Sequence, residues 1–243
     1  MTRIILALIL LASAPFGYSA NLPDFPFVVS VGNAEREVKP DIATLNLEII
    51  SFEEKSDLSL EKVSTATESV LKVLQSYGVK SEAIEATDIE KSTKRKRDSD
   101  YNRLEILGYE VSRSLTIELR DLSKYSELIS DIVAIDNLSS VQTAFDASNR
   151  KDIERALVNA ASIDAREKAE QMAESLNTEI HSVYAISQDS DFGSFFATFG
   201  ARSDQMMASL YSSHQAHVAM FVPKNIKIRQ GINVVFKIEQ DSN

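Results

Sequence analysis

No cysteine occurs anywhere in the 243 residues. Disulfides, thiolate nucleophiles, cysteine metal sites and peroxidase-type thiol chemistry are excluded together. Glycine is scarce, at seven residues, and none of them builds a Walker phosphate loop or a Gly-x-Ser-x-Gly nucleophile elbow. Histidine is scarcer still, at three. Basic charge is in deficit: 26 Lys and Arg stand against 36 Asp and Glu, a net charge of -10. An acidic surface repels phosphate backbones, which excludes broad nucleic-acid binding and disfavours electrostatic docking on anionic lipid. Long hydrophobic runs are absent, with one exception at the N-terminus.

That exception reads as a signal peptide. Arg3 supplies a positive start, Ile4 to Ala12 form an apolar run of about nine residues, and small residues follow, with cleavage expected after Ser19 or Ala20. The run is too short to span a bilayer comfortably. Removing residues 1–20 takes away Arg3 and no acid, so 25 basic and 36 acidic residues remain and the mature net charge is -11.

What is present in quantity is material for a core: 44% of residues are hydrophobic and 26% charged, ordinary for a globular chain. Six stretches alternate with the period of a strand. Phe27, Val29 and Val31 open the first. Ala43, Leu45, Leu47 and Ile49 face one way in the second, with Thr44, Asn46 and Glu48 opposite. Tyr109, Val111, Leu115, Ile117 and Leu119 make the longest such face. Val141, Thr143 and Phe145, then Val183 to Ser187, then Ile226, Ile228, Ile232, Val234, Phe236 and Ile238 complete the set. One-sided alternation indicates antiparallel sheet with one wet face. Thr87 to Lys96 form a further, polar strand. Its run Lys94-Arg95-Lys96-Arg97 reads either as a charged hairpin tip that discourages edge pairing or as a docking patch for an acidic partner.

Three helices fit between the strands. The first is capped by Asp57, presents Leu60, Val63, Val70, Leu74 and Tyr77, and stops at Gly78. The second is capped by Asp121, turns Tyr125, Leu128, Ile129, Ile132 and Ile135 inward, and ends at Asn137. The third starts near Ser148 or Asn149 and repeats alanine at 161, 165, 169 and 173. Small side chains let its axis lie unusually close to whatever it packs on. The four-residue spacing drifts about 40° per step against a 3.6-residue turn, so the small face winds around the helix and suits broad contact. The expected architecture is one α+β domain over residues 21–243, its three helices gathered on one face of an antiparallel sheet.

Residues 189–217 lack a clean period. They hold Phe192, Phe195, Phe196, Phe199, Met206, Met207 and Tyr211, and read as a long insertion. A flap over the domain's own core, an intermolecular contact and a membrane contact are the alternatives.

Catalytic constellations are hard to find. Asp191-Phe192-Gly193 copies a kinase triplet without any of its companion motifs. His214 and His217 stand three apart, and Asp189, Asp191 or Asp204 could complete a metal site, but two histidines on a polar loop are ordinary loop composition. No metal is assigned. His181 begins a strand and reads as structural. Glu53 and Glu54 point to opposite faces and cannot act as a pair. Glu35 and Glu37 share a face, with nothing apolar around them to raise a pKa. Neither catalytic residues nor cofactor-binding residues are expected.

Four segments in order resemble the SIMPL-domain family of bacterial envelope proteins. They are Val31-Gly32-Asn33-Ala34 with Val38-Lys39-Pro40-Asp41-Ile42-Ala43; Gly108-Tyr109-Glu110-Val111-Ser112 running into Leu115-Thr116-Ile117 and Asp121-Leu122; Asp164-Ala165-Arg166-Glu167-Lys168-Ala169 with Met172-Ala173 and Leu176; and Ile232-Asn233-Val234-Val235-Phe236-Lys237-Ile238. Asn177 stands where the family usually has Gly, and Pro223-Lys224-Asn225 replaces the usual Pro-Gly. The resemblance implies an exported α+β protein, periplasmic or outer-membrane-associated. It also implies a link to oxidative-stress tolerance, ring-like homo-oligomers in some relatives, and no catalytic residues to carry over.

The expected function is therefore a non-enzymatic envelope protein, without cofactors, that self-assembles and contributes to envelope integrity or stress response, with an envelope protein as a further partner. The alternatives are a periplasmic binding module for a small ligand or protein partner with residues 189–217 as lid, and, more distantly, a metal-dependent hydrolase built on His214 and His217.

Overall fold

The computed structural model describes residues 24–97, 104–188 and 220–240. The expected signal peptide over 1–20 and the insertion over 189–217 lie outside them. The chain divides into two compact units: one takes in residues up to Ala34, 158–188 and from Gly231 onward, the other Glu35–Leu157 and 220–230.

The larger unit is built on five strands. β2 (Ile42–Glu53) pairs antiparallel with β5 (Leu104–Leu119), from Ala43 opposite Leu119 to Glu53 opposite Tyr109, and on its other side with β6 (Leu138–Asp146). The short β3 (Ile84–Ala86) and the polar β4 (Glu90–Arg97) both pair antiparallel with β5. Period-two alternation does what it should. Ala43, Leu45, Leu47 and Ile49 are buried, as are Val111, Leu115, Ile117 and Leu119 directly across from that strand's inner positions. Each fully buried Leu, Ile or Val contributes about 1.5–3 kcal/mol of transfer free energy.

Two helices cover this face. α1 (Ser56–Ser76) buries Ser59, Val63, Ala66, Thr67, Val70 and Leu74, a stripe at helical spacing. Thr67 satisfies its hydroxyl inside the helix by donating to the Val63 carbonyl at 2.7 Å. Gly78, at φ +79°, turns the chain out of the helix, a conformation open to glycine without strain. α2 (Tyr125–Val133) buries Tyr125, Leu128, Ile129 and Ile132. Tyr125 donates its hydroxyl to Thr143 Oγ1 at 2.8 Å and stands edge-on to Phe145, 5.0 Å between ring centroids.

The smaller unit holds most of a three-stranded sheet ordered β1-β8-β7, from β1 (Phe27–Val38), β8 (Ile226–Gln240) and β7 (Thr178–Ser187). β7 and β8 are antiparallel with two register irregularities. On it lies the C-terminal part of α3 (Arg150–Glu174), with Ala161, Ala165 and Ala169 packed against Ile232, Val234 and Phe236. All three alanines are fully buried. The approach is close enough that a Cβ on Gly32 of β1 would overlap the Ala161 carbonyl oxygen and stand 2.7 Å from the Ala165 amide nitrogen.

The α+β class and the antiparallel pairing follow the sequence reading. The single sheet does not: the strands form a sheet of five and a sheet of three. Alternation tells a strand which face is wet, not which neighbour it takes. Asp57 does not cap α1. Lys55 flanks the helix in extended conformation, and Asp57 sits in the first turn, where its charge meets the helix dipole. Asp121 does not cap α2 either. Its Oδ1 accepts from the Ser123 amide at 3.0 Å, closing a turn upstream, and Lys124 flanks the helix. Leu60 is 43% exposed, because it lies about 100° around the helix from the stripe that begins at Ser59.

Candidate functional site

The residues that carry the family resemblance are the natural place to look for chemistry, and two acids stand out among them. Asp41, in the turn between β1 and β2, accepts the Ser148 amide at 2.7 Å and the Ser148 hydroxyl at 2.6 Å. That clamps the turn to the start of α3, which begins two residues later. The Ser148 hydroxyl is the main reason that the Asp41 carboxyl is held below its ordinary value of 3.8. In the smaller unit, Asp164 accepts Lys168 Nζ at 2.6 Å and the Asn33 amide at 2.8 Å. Lys168 Nζ also donates to the Val31 carbonyl at 3.2 Å, so this pair ties α3 to β1. The Lys168 bond is the first cause of the lowered Asp164 pKa, and the Asn33 amide the second. Both acids are stabilised as anions by donors that also close the fold. A general acid needs the opposite environment.

The other sequence candidates are dispersed. Glu35 and Glu37 do share one face of β1, as their spacing requires. Lys227 Nζ stands 3.8 Å from Glu35 and 3.2 Å from Glu37, and Arg229 Nε donates to Glu35 at 2.8 Å. This is an exposed ion-pair lattice across β1 and β8, worth little per pair. Glu53 pairs with Lys62 on α1. His181 is exposed on β7, with Nδ1 3.0 Å from Ser182 Oγ and Nε2 3.4 Å from Glu239. His214, His217, Asp189, Asp191 and Asp204 lie outside the described residues. Among the described residues no group of three or more His, Asp or Glu is gathered closely enough to hold a metal ion.

Sequence reasoning missed a groove. It sits in the larger unit where α1 ends, with a volume of about 630 Å³. Tyr77, Val79, Ala83 and Leu119 give it apolar walls. Glu82, Glu85, Glu118 and Asp121 line it as well, against Lys80 and Arg120. Arg120 is held by Glu118 at 2.7 Å. Asp121 stays anionic through its bond to the Ser123 hydroxyl, which lowers its pKa. The Tyr77 hydroxyl donates to Asp131 at 2.7 Å, and this bond raises its pKa, so the phenol stays neutral. The signal available in sequence was the glycine stop at Gly78 followed by two acids within seven residues, too common a pattern to mark a groove.

The β4–β5 hairpin is the second feature of note. Leu104, Ile106 and Leu107 are about half exposed, beyond the part of β5 that α1 and α2 cover.

Two antiparallel sheets and three helices, with Asp41 and Asp164 as clasps to α3, make an α+β fold. A model of the SIMPL family, described as a protein of unknown function (DUF541), matches residues 28–236, and the chain belongs to that family. A relative from Edwardsiella ictaluri (strain 93-146), called uncharacterized protein YggE, is 21% identical over 169 residues, 69% of this chain and 70% of that protein. Among solved structures, the de novo designed protein Foldit4 is 15% identical, covering 44% of this chain and 98% of its own, with a TM-score of 0.22, too slight a likeness to bear on fold or function. No helix among the described residues is long and apolar enough to cross a membrane, which says nothing of strands.

Proposed function

We propose that this is an exported, non-catalytic envelope protein that works by assembling with copies of itself, contributing to envelope integrity or to tolerance of oxidative stress. The observation that carries the reading is the use made of the signature residues. Asp41, Asp164 and Lys168 are spent on clasps between α3 and the strands, and the signature alanines on close packing. The N-terminal export pattern supports the envelope. Without cysteine, protection from oxidants is indirect or rests on sacrificial oxidation of the four methionines that remain after residues 1–20 are removed.

The test is the native mass of the purified protein by light scattering across concentration, together with its consumption of hydrogen peroxide. A mass several times that of one chain, with no catalytic turnover of peroxide, is expected. A monomer at every concentration, or steady turnover of peroxide, overturns the proposal. The groove near Gly78 favours a second reading, a binding module for a small ligand. Saturable ligand binding that shifts Tm while the protein stays monomeric would select it.

A further inference from the structure

The larger unit is electrically lopsided along β5. One end carries the hairpin. β4 holds five basic residues and a single acid, Glu90, and the described residues 90–97 and 104–107 together hold five basic and two acidic residues, a net +3. The rest of the chain, with 21 basic and 34 acidic residues, carries -13. Lys94 is taken up by Glu110 at 2.7 Å and Lys91 lies over the Tyr109 ring. Arg95 and Lys96 have no ion-pair partner among the described residues. Arg95 stands opposite Ile106 in the ladder, so cation and exposed apolar side chain share a face. Leu104, Ile106 and Leu107 are 58%, 49% and 46% exposed there. Three large apolar residues in four positions, exposed and bordered by cations without an ion-pair partner among the described residues, form an interaction surface rather than scattered surface leucines.

The other end carries the groove. Four carboxylates and two cations line it, and its walls include Tyr77, Val79 and Leu119. Glu82 and Glu85 are without ion-pair partners among the described residues. Glu85 is paired with Thr116 and Arg95 with Ile106, so the two features stand ten positions apart on β5, about 35 Å. They cannot meet within one chain. They complement each other in both properties that set docking: apolar residues bordered by cations, and an apolar-walled groove rimmed by acids.

We infer that the β4–β5 hairpin of one copy docks in the acidic groove of the next, making a heterologous head-to-tail contact. This rests on the self-assembly reading and names the surfaces that carry it. Like-charged β4 edges repel one another, which disfavours an isologous hairpin-to-hairpin dimer.

The experiment is a charge reversal with rescue on the full protein. One variant carries Arg95→Glu with Lys96→Glu, the other Glu82→Lys with Glu85→Lys. All four side chains are on the surface, and unchanged far-ultraviolet circular dichroism and Tm check the fold. Each variant alone is expected to lose association by about a hundredfold, from like charges brought together. Mixed in equal amounts, the two should co-assemble in alternation, since the intact hairpin of one meets the intact groove of the other and the reversed hairpin meets the reversed groove. A protein carrying all four changes should assemble again. Ile106→Ser is expected to weaken assembly at every salt concentration, while the wild-type contact loosens as salt rises. If the wild type assembles and both reversals keep its mass, the hairpin contact is wrong and self-assembly stands. If the wild type is a monomer throughout, both fall.

Discussion

The two units bury their cores by opposite means. The five-stranded unit uses large branched side chains: Leu45, Leu47, Ile49, Ile117, Leu128, Ile129 and Ile132 fill the space between sheet and helices. The three-stranded unit uses almost none on its helix. Ala161, Ala165 and Ala169 let α3 come down until its backbone meets Gly32. Large side chains gain by area removed from water, and a substitution leaves a cavity that neighbours partly refill. Backbone-to-backbone packing gains less area per residue and has no slack. The first core is tolerant and deep, the second thin and unforgiving.

Substitutions should separate them in that order. Gly32→Ala is expected to have the largest effect, about 4 kcal/mol or more, because its Cβ has nowhere to go but into the α3 backbone. Hydrogen exchange should localise the loss to β1, β8 and the second half of α3. A change below about 1 kcal/mol would mean that α3 lifts off cheaply, and the contrast would be gone. Leu45→Ala should cost about 3 kcal/mol by urea unfolding, with the fold retained, as is usual for a cavity in a branched core.

Among the described residues each unit also holds one buried hydroxyl without a hydrogen-bond partner, Ser30 in the smaller and Ser51 in the larger. Removing an unsatisfied buried donor relieves its desolvation, so Ser30→Ala and Ser51→Ala should each raise stability by about 1 kcal/mol. In the tight unit the added slack from a lost oxygen is small. In the larger unit the gain should be partly offset by the space left behind.

The finest comparison is in acid. Asp41 and Asp164 have folded pKa values below 3.8, so their contribution is complete above that value and is lost as the pH falls through the lowered values. Tm should therefore decline below about pH 4. Asp41→Asn and Asp164→Asn should each flatten that decline, Asp41→Asn in the five-stranded unit and Asp164→Asn in the three-stranded one. A decline of unchanged steepness in both variants would show that other carboxylates govern it.

Much of this was legible in advance. The strands around Leu45, Leu115 and Ile232 announce themselves because a sheet with one wet face forces alternation, and alternation survives in sequence. Gly78 marks the end of α1, and Asn137, expected to end α2, instead makes the turn just before β6; both take a positive φ, at +79° and +64°, which few residues accept. Asn177, at φ +53°, fills the place of the family's usual glycine for the same reason. The caps at Asp57 and Asp121 were misread because an acid near a helix start can cap it, sit in its first turn or close the turn before it, and sequence spacing does not distinguish these. The groove by Gly78 and the half-exposed hairpin at Leu104 depend on where α1 stops covering the sheet.

The sequence alone determined the α+β class, the order of the elements apart from the short β3, the buried faces of β2, β5, β6 and β8, the family and the exclusion of thiol chemistry. Those follow from local periodicity, from backbone constraints at single residues and from composition. On β1 the alternation of Phe27, Val29 and Val31 pointed to the wrong face, since Ser30 and Gly32 are the buried positions. Only the tertiary structure decided that the strands part into two sheets, that Asp41 and Asp164 close the fold, and that a basic apolar hairpin and an acidic groove lie at opposite ends of one strand. These are facts about pairs of residues far apart in the chain, such as Asp41 with Ser148 or Gly32 with Ala161. A pairwise contact leaves no period in a single sequence, because either partner can satisfy its local preferences without the other.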